Sequence, residues 1–312
     1  MWLTMEKEHY NVEYIRRIHK VQDYIEAHLN RGMTLEELAY EAGFSKYHFS
    51  RIFQGIVQET LAHYVNRIRM EQALFLLAYR QDKNMTDIAY EMGFTDSAVF
   101  SRAFKNYYGM SPREYRTTYI KLNKQPFVLS NYKTNGKARE NRVNKIKGEV
   151  TIENLQEKQA IYVRHMGTYD SLAQEYSKLM NTLWEYADKH NLIVEGQNWV
   201  LAMYHDNPEF GEETQFRTSL CITIPNVNSV EEEGIVEQMT IEGGLYAVGH
   251  FRIKPDEYVD IWDYMYEKWL MCSEYLPRNA CPFEVYRKVP QQANPSGECF
   301  HEVDIYVPIE PL

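Results

Sequence analysis

No stretch of this chain is apolar for long enough to cross a bilayer; runs such as Ala73–Ala78 fall far short of the ~20 residues a spanning helix needs. Met1–Tyr10 lacks the basic-then-apolar order of a secretory signal, so no export is expected and the cytoplasm is the expected compartment. Cysteine is scarce. The four present (Cys221, Cys272, Cys281, Cys299) form no C-x-x-C pair, which speaks against a zinc site and leaves buried or free thiols as the expectation. No Ser-His-Asp pattern, metal-ligand cluster or phosphate-binding loop stands out either. An enzyme is therefore not the first expectation, and neither a cofactor nor a metal is called for.

Charge is present but uneven. Residues 1–120 carry as many basic as acidic side chains, residues 121–148 are net +7, and residues 149–312 are net −17. Such steps indicate modules with different partners: an acidic half does not lie along a phosphate backbone, whereas a neutral part binds DNA if its basic residues share one face. We therefore divide the chain into residues 1–120, a basic linker at 121–148, and residues 149–312.

The first third repeats itself. Leu38-Ala39-Tyr40-Glu41-Ala42-Gly43-Phe44 returns as Ile88-Ala89-Tyr90-Glu91-Met92-Gly93-Phe94, and Phe49-Ser50-Arg51-Ile52-Phe53 as Phe100-Ser101-Arg102-Ala103-Phe104, with one extra residue in the second copy. Each copy reads as helix, tight turn, helix. Thr34 with Glu37, and Asn84 with Asp87, have capping-box spacing, while Gly43 and Gly93 stand where the chain turns. Ser45 and Thr95 are the expected caps of the second helices. Phe49 and Phe53, like Phe100 and Phe104, are four apart and face inward, which leaves Lys46, Tyr47, Ser50 and Arg51 outward in one copy and Asp96, Ser97, Ala98 and Arg102 in the other. A second helix of this kind enters the DNA major groove, where arginine reads guanine through its two-pronged fork. The amphipathic stretch Leu61–Arg80 is expected to be the helix that spaces the two units.

These residues resemble the AraC/XylS family of regulators. The second copy carries the resemblance: Asp87–Phe94, Phe100–Lys105 and Gly109-Met110-Ser111-Pro112-Arg113-Glu114-Tyr115-Arg116. The resemblance implies a seven-helix domain that controls promoters in double-stranded DNA, with RNA polymerase as a further partner. Its base-reading positions fall on Tyr47, Ser50 and Arg51, then Ser97, Ala98 and Arg102, and Lys105 joins the expected DNA-contact set. Ser97 and Ala98 are small where relatives carry long polar side chains, which weakens base readout by the second unit. The linker's charge adds either sequence-blind DNA affinity or mere solubility, and Phe127–Leu129 is a short candidate strand.

The last half alternates strands around two helices and does so twice: strand, helix, strand, strand, an α+β arrangement of two pseudo-symmetric halves. Expected strands are 150–155, 160–166, 199–205, 216–224, 235–241, 244–251, 283–288 and 302–307, with helices at 171–190 and 255–271. Two such halves side by side leave a groove between their helices, for which Trp199, Tyr204, Tyr246, Trp262 and Tyr266 supply rings. In the last strand Glu302, Asp304 and Tyr306 share one face by period-two alternation. Carboxylates beside aromatic rings suit a lipophilic cation; the other reading is a solvated face. Tyr162–Tyr169 and Glu302–Pro308 resemble the GyrI-like ligand-binding domain, in a Rob-like domain order. That resemblance implies an effector, drug-like or otherwise lipophilic, held in an aromatic groove with one acidic residue, Glu302 or Asp304. Two alternatives stand beside ligand sensing: hydrolysis of strained electrophiles by one of those acids with a tyrosine, and a protein-docking module.

Overall fold

The computed structural model describes residues 2–121, 143–206, 216–225, 230, 233–287 and 300–312. The chain separates into two compact units, residues 1–129 and 130–312. Most of the linker expectation, including the strand at Phe127–Leu129, lies outside the described residues.

The first unit holds seven helices among its described residues: α1 (Trp2–Ala27), α2 (Leu35–Glu41), α3 (Lys46–Val57), α4 (Leu61–Tyr79), α5 (Met85–Glu91), α6 (Ser97–Tyr108) and α7 (Pro112–Lys121). The two copies are α2–α3 and α5–α6, joined by α4. Phe49, Phe53, Phe100 and Phe104 are all fully buried, and each i,i+4 pair packs edge-on, at 5.8 and 5.7 Å. Capping differs from expectation in three places. Thr34 does accept from Glu37 N, but the Glu37 carboxylate turns away to Arg31 and the Tyr24 hydroxyl, so no reciprocal box closes. A charged partner outcompetes a neutral backbone N–H for a carboxylate. Ser45 sits at the N-cap of α3 without a side-chain bond. In the second copy the residue after Thr95, Asp96, caps α6 by accepting from Ala98 N and Val99 N at 2.7 and 2.8 Å. The extra residue of that copy is what brings Asp96 to the cap.

One buried cation secures α4. Arg67, 2% exposed, reaches Glu59 just before the helix at 2.7 Å and Glu71 one turn on at 3.1 Å. Two carboxylates thus neutralise and hydrogen-bond a guanidinium taken out of water, the condition for burying it at tolerable cost.

The second unit is one antiparallel sheet with helices on one face. Its elements are β1 (Glu149–Leu155), β2 (Lys158–Met166), α8 (Tyr169–Lys189), β3 (Val200–Tyr204), β4 (Arg217–Ile224), β5 (Glu237–Ile241), β6 (Gly244–Ile253), a 3₁₀ turn (Pro255–Glu257) running into α9 (Tyr258–Asp263), a π-helical continuation (Tyr264–Leu270), β7 (Tyr275–Pro277), β8 (Phe283–Tyr286) and β9 (His301–Pro311). The strand-helix-strand-strand pattern occurs twice. Strand order is β1-β6-β9-β8-β3-β4-β2-β5, with β7 added beside the end of β9. The halves meet where β8 pairs with β3. They also exchange edges: β1, which precedes the first half, pairs with β6 of the second, and β5, which precedes the second, pairs with β2 of the first.

Register sorts the side chains. Ala202 stands opposite Glu284, and Glu284 opposite Ile305, so these three and Tyr204, Tyr286 and Val303 point to one face. On that face α8 packs Leu172, Leu179, Leu183 and Ala187 against Ile161, Val163, Ala202 and Leu220. The other face gathers Tyr162, Leu201, Met203, Tyr246, Phe283, Val285 and Tyr306, joined by Leu155 and Ile241 from the two outermost strands.

The two turn glycines offer a contrast that stability measurements resolve. Gly43 and Gly93 both have positive φ, +64° and +71°, which costs a residue with a side chain roughly 1–3 kcal/mol. A Cβ on Gly43 would meet only the end of the Arg17 side chain, at 3.0 Å, whereas on Gly93 it would lie 2.5 Å from the Leu29 carbonyl oxygen. Gly93→Ala is therefore expected to lower denaturant stability more than Gly43→Ala; equal losses would show that backbone strain alone acts at both.

Candidate functional site

The outward face of each second helix is open. On α3, Lys46, Tyr47 and Arg51 are exposed and Ser50 is half-buried; on α6, Ala98, Arg102 and Lys105 are exposed and Ser97 is half-buried. Tyr47 is 77% exposed, a large cost in unburied ring surface for a free-standing helix. Lys46 bonds Glu36 of α2 at 3.2 Å and lies over the Tyr47 ring. Arg51 and Arg102 have no ion pair among the described residues, so both guanidinium forks are available to a ligand. Asp96 is occupied as a cap rather than offered outward.

In the second unit a single carboxylate organises its surroundings. Glu284, in the middle of β8, is 2% exposed. Its Oε1 accepts from the Tyr204 hydroxyl at 2.6 Å and the Tyr286 hydroxyl at 2.5 Å, and its Oε2 accepts from the Trp262 indole N–H at 3.3 Å. Around these, Tyr169 and Tyr204 meet edge-on at 5.8 Å, Tyr204 and Trp262 at 5.5 Å, Tyr176 and Tyr286 at 6.3 Å, and Tyr266 stacks on Trp262 at 6.3 Å. Burial raises the Glu284 pKa above the usual carboxylate range, against the three donors that pull it down. Burial first, then the neighbouring carboxylate, pushes the Tyr204 and Tyr286 phenols well up and the Tyr176 phenol up to about 12, so all three keep their protons. No described lysine or arginine pairs with Glu284.

The residues expected to form one groove divide between two faces. Tyr204 and Trp262 bond Glu284 on the helix-covered face, and Tyr266 stacks on Trp262. Trp199, Tyr246 and Tyr306 lie on the opposite face, where Tyr306 stacks on Phe283 at 4.7 Å, with Trp199 at 5.6 Å and Tyr246 at 6.0 Å from it. Glu302 and Asp304 do share a face, as expected, but it is that opposite one, because Asp304 stands across from Val285 rather than Glu284. Asp304 is buried and already paired, with His250 at 2.8 Å and with Arg287. Both acids line an open depression of about 540 Å³ with Lys147, His250, Arg252 and Arg287. Neither supplies the charge under the helices; Glu284 does. Its sequence signal is a lone acid in Phe283-Glu284-Val285-Tyr286, where period two separates Phe283 and Val285 from Glu284 and Tyr286.

A tandem helix-turn-helix unit followed by a helix-covered sheet with one buried, aromatic-ringed acid defines a two-module chain, one module shaped for DNA and one for a small ligand. The chain belongs to the GyrI-like small molecule binding domain family, which matches residues 148–310, and a helix-turn-helix domain matches residues 38–118. Uncharacterized HTH-type transcriptional regulators of Staphylococcus aureus (strain MSSA476 among them) are 36% identical over 100 residues, 32% of this chain and 13% of theirs. YbfP, an uncharacterized HTH-type regulator of Bacillus subtilis (strain 168), is 36% identical over 104 residues, 33% of this chain and 35% of its own. The chain thus spans only a small part of the curated relatives it matches. Among solved structures, EcmrR in its DNA complex covers 90% of this chain and 86% of its own at 16% identity, with a TM-score of 0.43. No helix among the described residues is long and apolar enough to cross a membrane.

The raised Glu284 pKa fixes the sign of a pH effect. The folded state holds this proton more tightly than the unfolded chain, so the stability it contributes is complete below the ordinary carboxylate range and fades as pH rises through the raised value. Melting curves of wild type and Glu284→Gln from pH 4 to 8 should therefore diverge with pH, the wild type losing ground relative to the variant; parallel curves would place the Glu284 pKa at its unfolded value.

Proposed function

We propose that the chain is a ligand-responsive transcription regulator: the helix-turn-helix pair grips promoter DNA, and the GyrI-like unit binds a lipophilic cation at Glu284. The observation that carries the ligand reading is the buried carboxylate with three neutral donors, a ring of aromatics and no cationic partner among the described residues. A carboxylate in low dielectric attracts a cation far more strongly than one in water, and aromatic faces add cation–π attraction. Phenols and an indole are soft enough to open and hydrophobic enough to enclose a cation whose charge is spread over apolar groups. The DNA reading rests on the matched helix-turn-helix domain, the exposed and equivalent Arg51 and Arg102, and relatives described as transcriptional regulators. Hydrolysis through Asp304 is disfavoured because it is already ion-paired with Arg287 and hydrogen-bonded to His250.

Tetraphenylphosphonium is a suitable probe. It is expected to raise the melting temperature and to bind calorimetrically, whereas neutral triphenylphosphine oxide binds much less. Glu284→Gln should weaken the cation by about 2–5 kcal/mol, the range for truncating one side of a buried charge pair, and leave the neutral compound nearly unaffected. Equal affinity for both compounds, or an unchanged variant, would remove Glu284 from ligand recognition.

On the DNA side, Arg51→Ala should cost about 1–3 kcal/mol on a selected site and flatten sequence preference at one or two base pairs, with Arg102→Ala acting likewise in the second half-site. Selection from random duplexes, followed by titration at fixed salt, measures both. Equal weakening on selected and random DNA would reduce these arginines to phosphate contacts.

A further inference from the structure

The ligand-facing helix also holds the described segment that leads into β1. Trp262 donates to Glu284, and from the next residues the helix continues as a π-helix, Tyr264–Leu270. π-Helical turns are rare and are frequent at functional sites. Lys268 on that segment donates to the carbonyl of buried Val143 at 3.4 Å and lies over the Tyr264 ring at 5.9 Å. Tyr264 packs edge-on against Phe251 of β6 at 5.7 Å. Phe251 in turn touches the backbone at Gly148 so closely that a Cβ there would lie 2.2 Å from the ring. The helix and β6 are equally tight one step on, since a Cβ on Gly249 would lie 2.5 Å from both Met265 Sδ and the Phe251 ring. Residues 143–148, just before β1, are thus held at one end by Lys268 of the helix that carries Trp262 and at the other by Phe251 of β6, against which that helix packs.

We propose that residues 264–268 and Phe251 form a relay that converts movement of Trp262 into movement of residues 143–148, the described segment that leads into β1 from the N-terminal side. The proposal rests on the reading of Glu284 as the ligand's anchor. A cation that reaches a carboxylate only 2% exposed must displace some of the side chains that cover it, and Trp262 makes the longest of the three bonds. Trp262 and Tyr264 are two residues apart on one short helix, so turning the first carries the second. Close packing leaves Phe251 no slack, and its shift is felt at Gly148; Lys268 draws the carbonyl of Val143 the same way. Packed contacts of this kind pass displacement on because they switch between arrangements rather than deform smoothly.

Amide hydrogen exchange on the full chain tests the relay, with Ile146 as reporter because its N–H bonds the same Val143 carbonyl at 3.3 Å. Trp262→Phe, without any ligand, is expected to change exchange at residues 145–150 by roughly two- to thirty-fold, the range for residues that couple sites. Saturating tetraphenylphosphonium should act on the same amides in the wild type. Lys268→Met and Phe251→Leu should each suppress both effects while leaving the affinity for tetraphenylphosphonium unchanged. Unaltered exchange in Trp262→Phe, or undiminished effects in Lys268→Met, would overturn the relay. Bound tetraphenylphosphonium that leaves these amides unaltered would overturn it while sparing Glu284 as the anchor. Failure of the cation to bind at all would instead strike the ligand reading, and the ligand-free comparison would still decide the relay.

Discussion

A carboxylate withdrawn from water must be hydrogen-bonded, paired or protonated, and Glu284 draws the second unit around it by that requirement. Two phenols and an indole meet it from β3, β8 and α9. Those three elements come from both pseudo-symmetric halves, so the site exists only where β8 meets β3. The aromatic rings serve twice, as donors through their edges and as apolar walls through their faces. The first unit solves the related problem at Arg67 in the opposite way: Glu59 and Glu71 neutralise it fully, and nothing is left for a ligand. One buried charge is closed and structural, and the other has no counter-charge among the described residues.

Duplication shapes both units, and in each the two copies differ at particular places. In the helical unit, Phe49/Phe53 and Phe100/Phe104 are equivalent cores, whereas Tyr47 against Ala98 and Ser45 against Asp96 differ at the surface and cap. In the sheet unit the two helices occupy matching places. α8 is a regular helix of 21 residues, while its counterpart begins as a 3₁₀ turn, passes through six α-helical residues and ends as a π-helix. The irregular copy is the one that carries Trp262.

Much of the architecture was legible because it rests on local period and spacing. The helix-turn-helix repeat, its inward phenylalanines and the order of strands around two helices all follow from residues close in the chain. Caps were less legible: Glu37 has the spacing of a capping box, but Arg31 and Tyr24 take its carboxylate, and such competition depends on packing. The candidate ligand site was half legible. Tyr204 and Trp262 are at the carboxylate and Tyr266 stacks on Trp262, whereas Trp199, Tyr246, Tyr306 and Asp304 sit across the sheet. Alternation says which residues share a face of one strand. It does not say which face the helices cover, and pairing across the sheet decides that. Glu284 escaped attention because an acid in a short central strand looks like an interruption of the core when its three donors, distant in sequence, are not seen beside it.

The exchanged edges bear on how the chain comes to be folded in a cell. α2–α3 and α5–α6 need only neighbours a few dozen residues away, so the first unit is complete in contacts soon after its residues are made. β1 has no such neighbour. Its partner β6 is about a hundred residues further on, with Glu149 facing His250. Until that strand leaves the ribosome, β1 and the groups that will hold it remain without a template. The helix-turn-helix unit can therefore stand ready on nascent chains whose ligand unit does not yet exist, and synthesis itself separates the birth of the two activities in time.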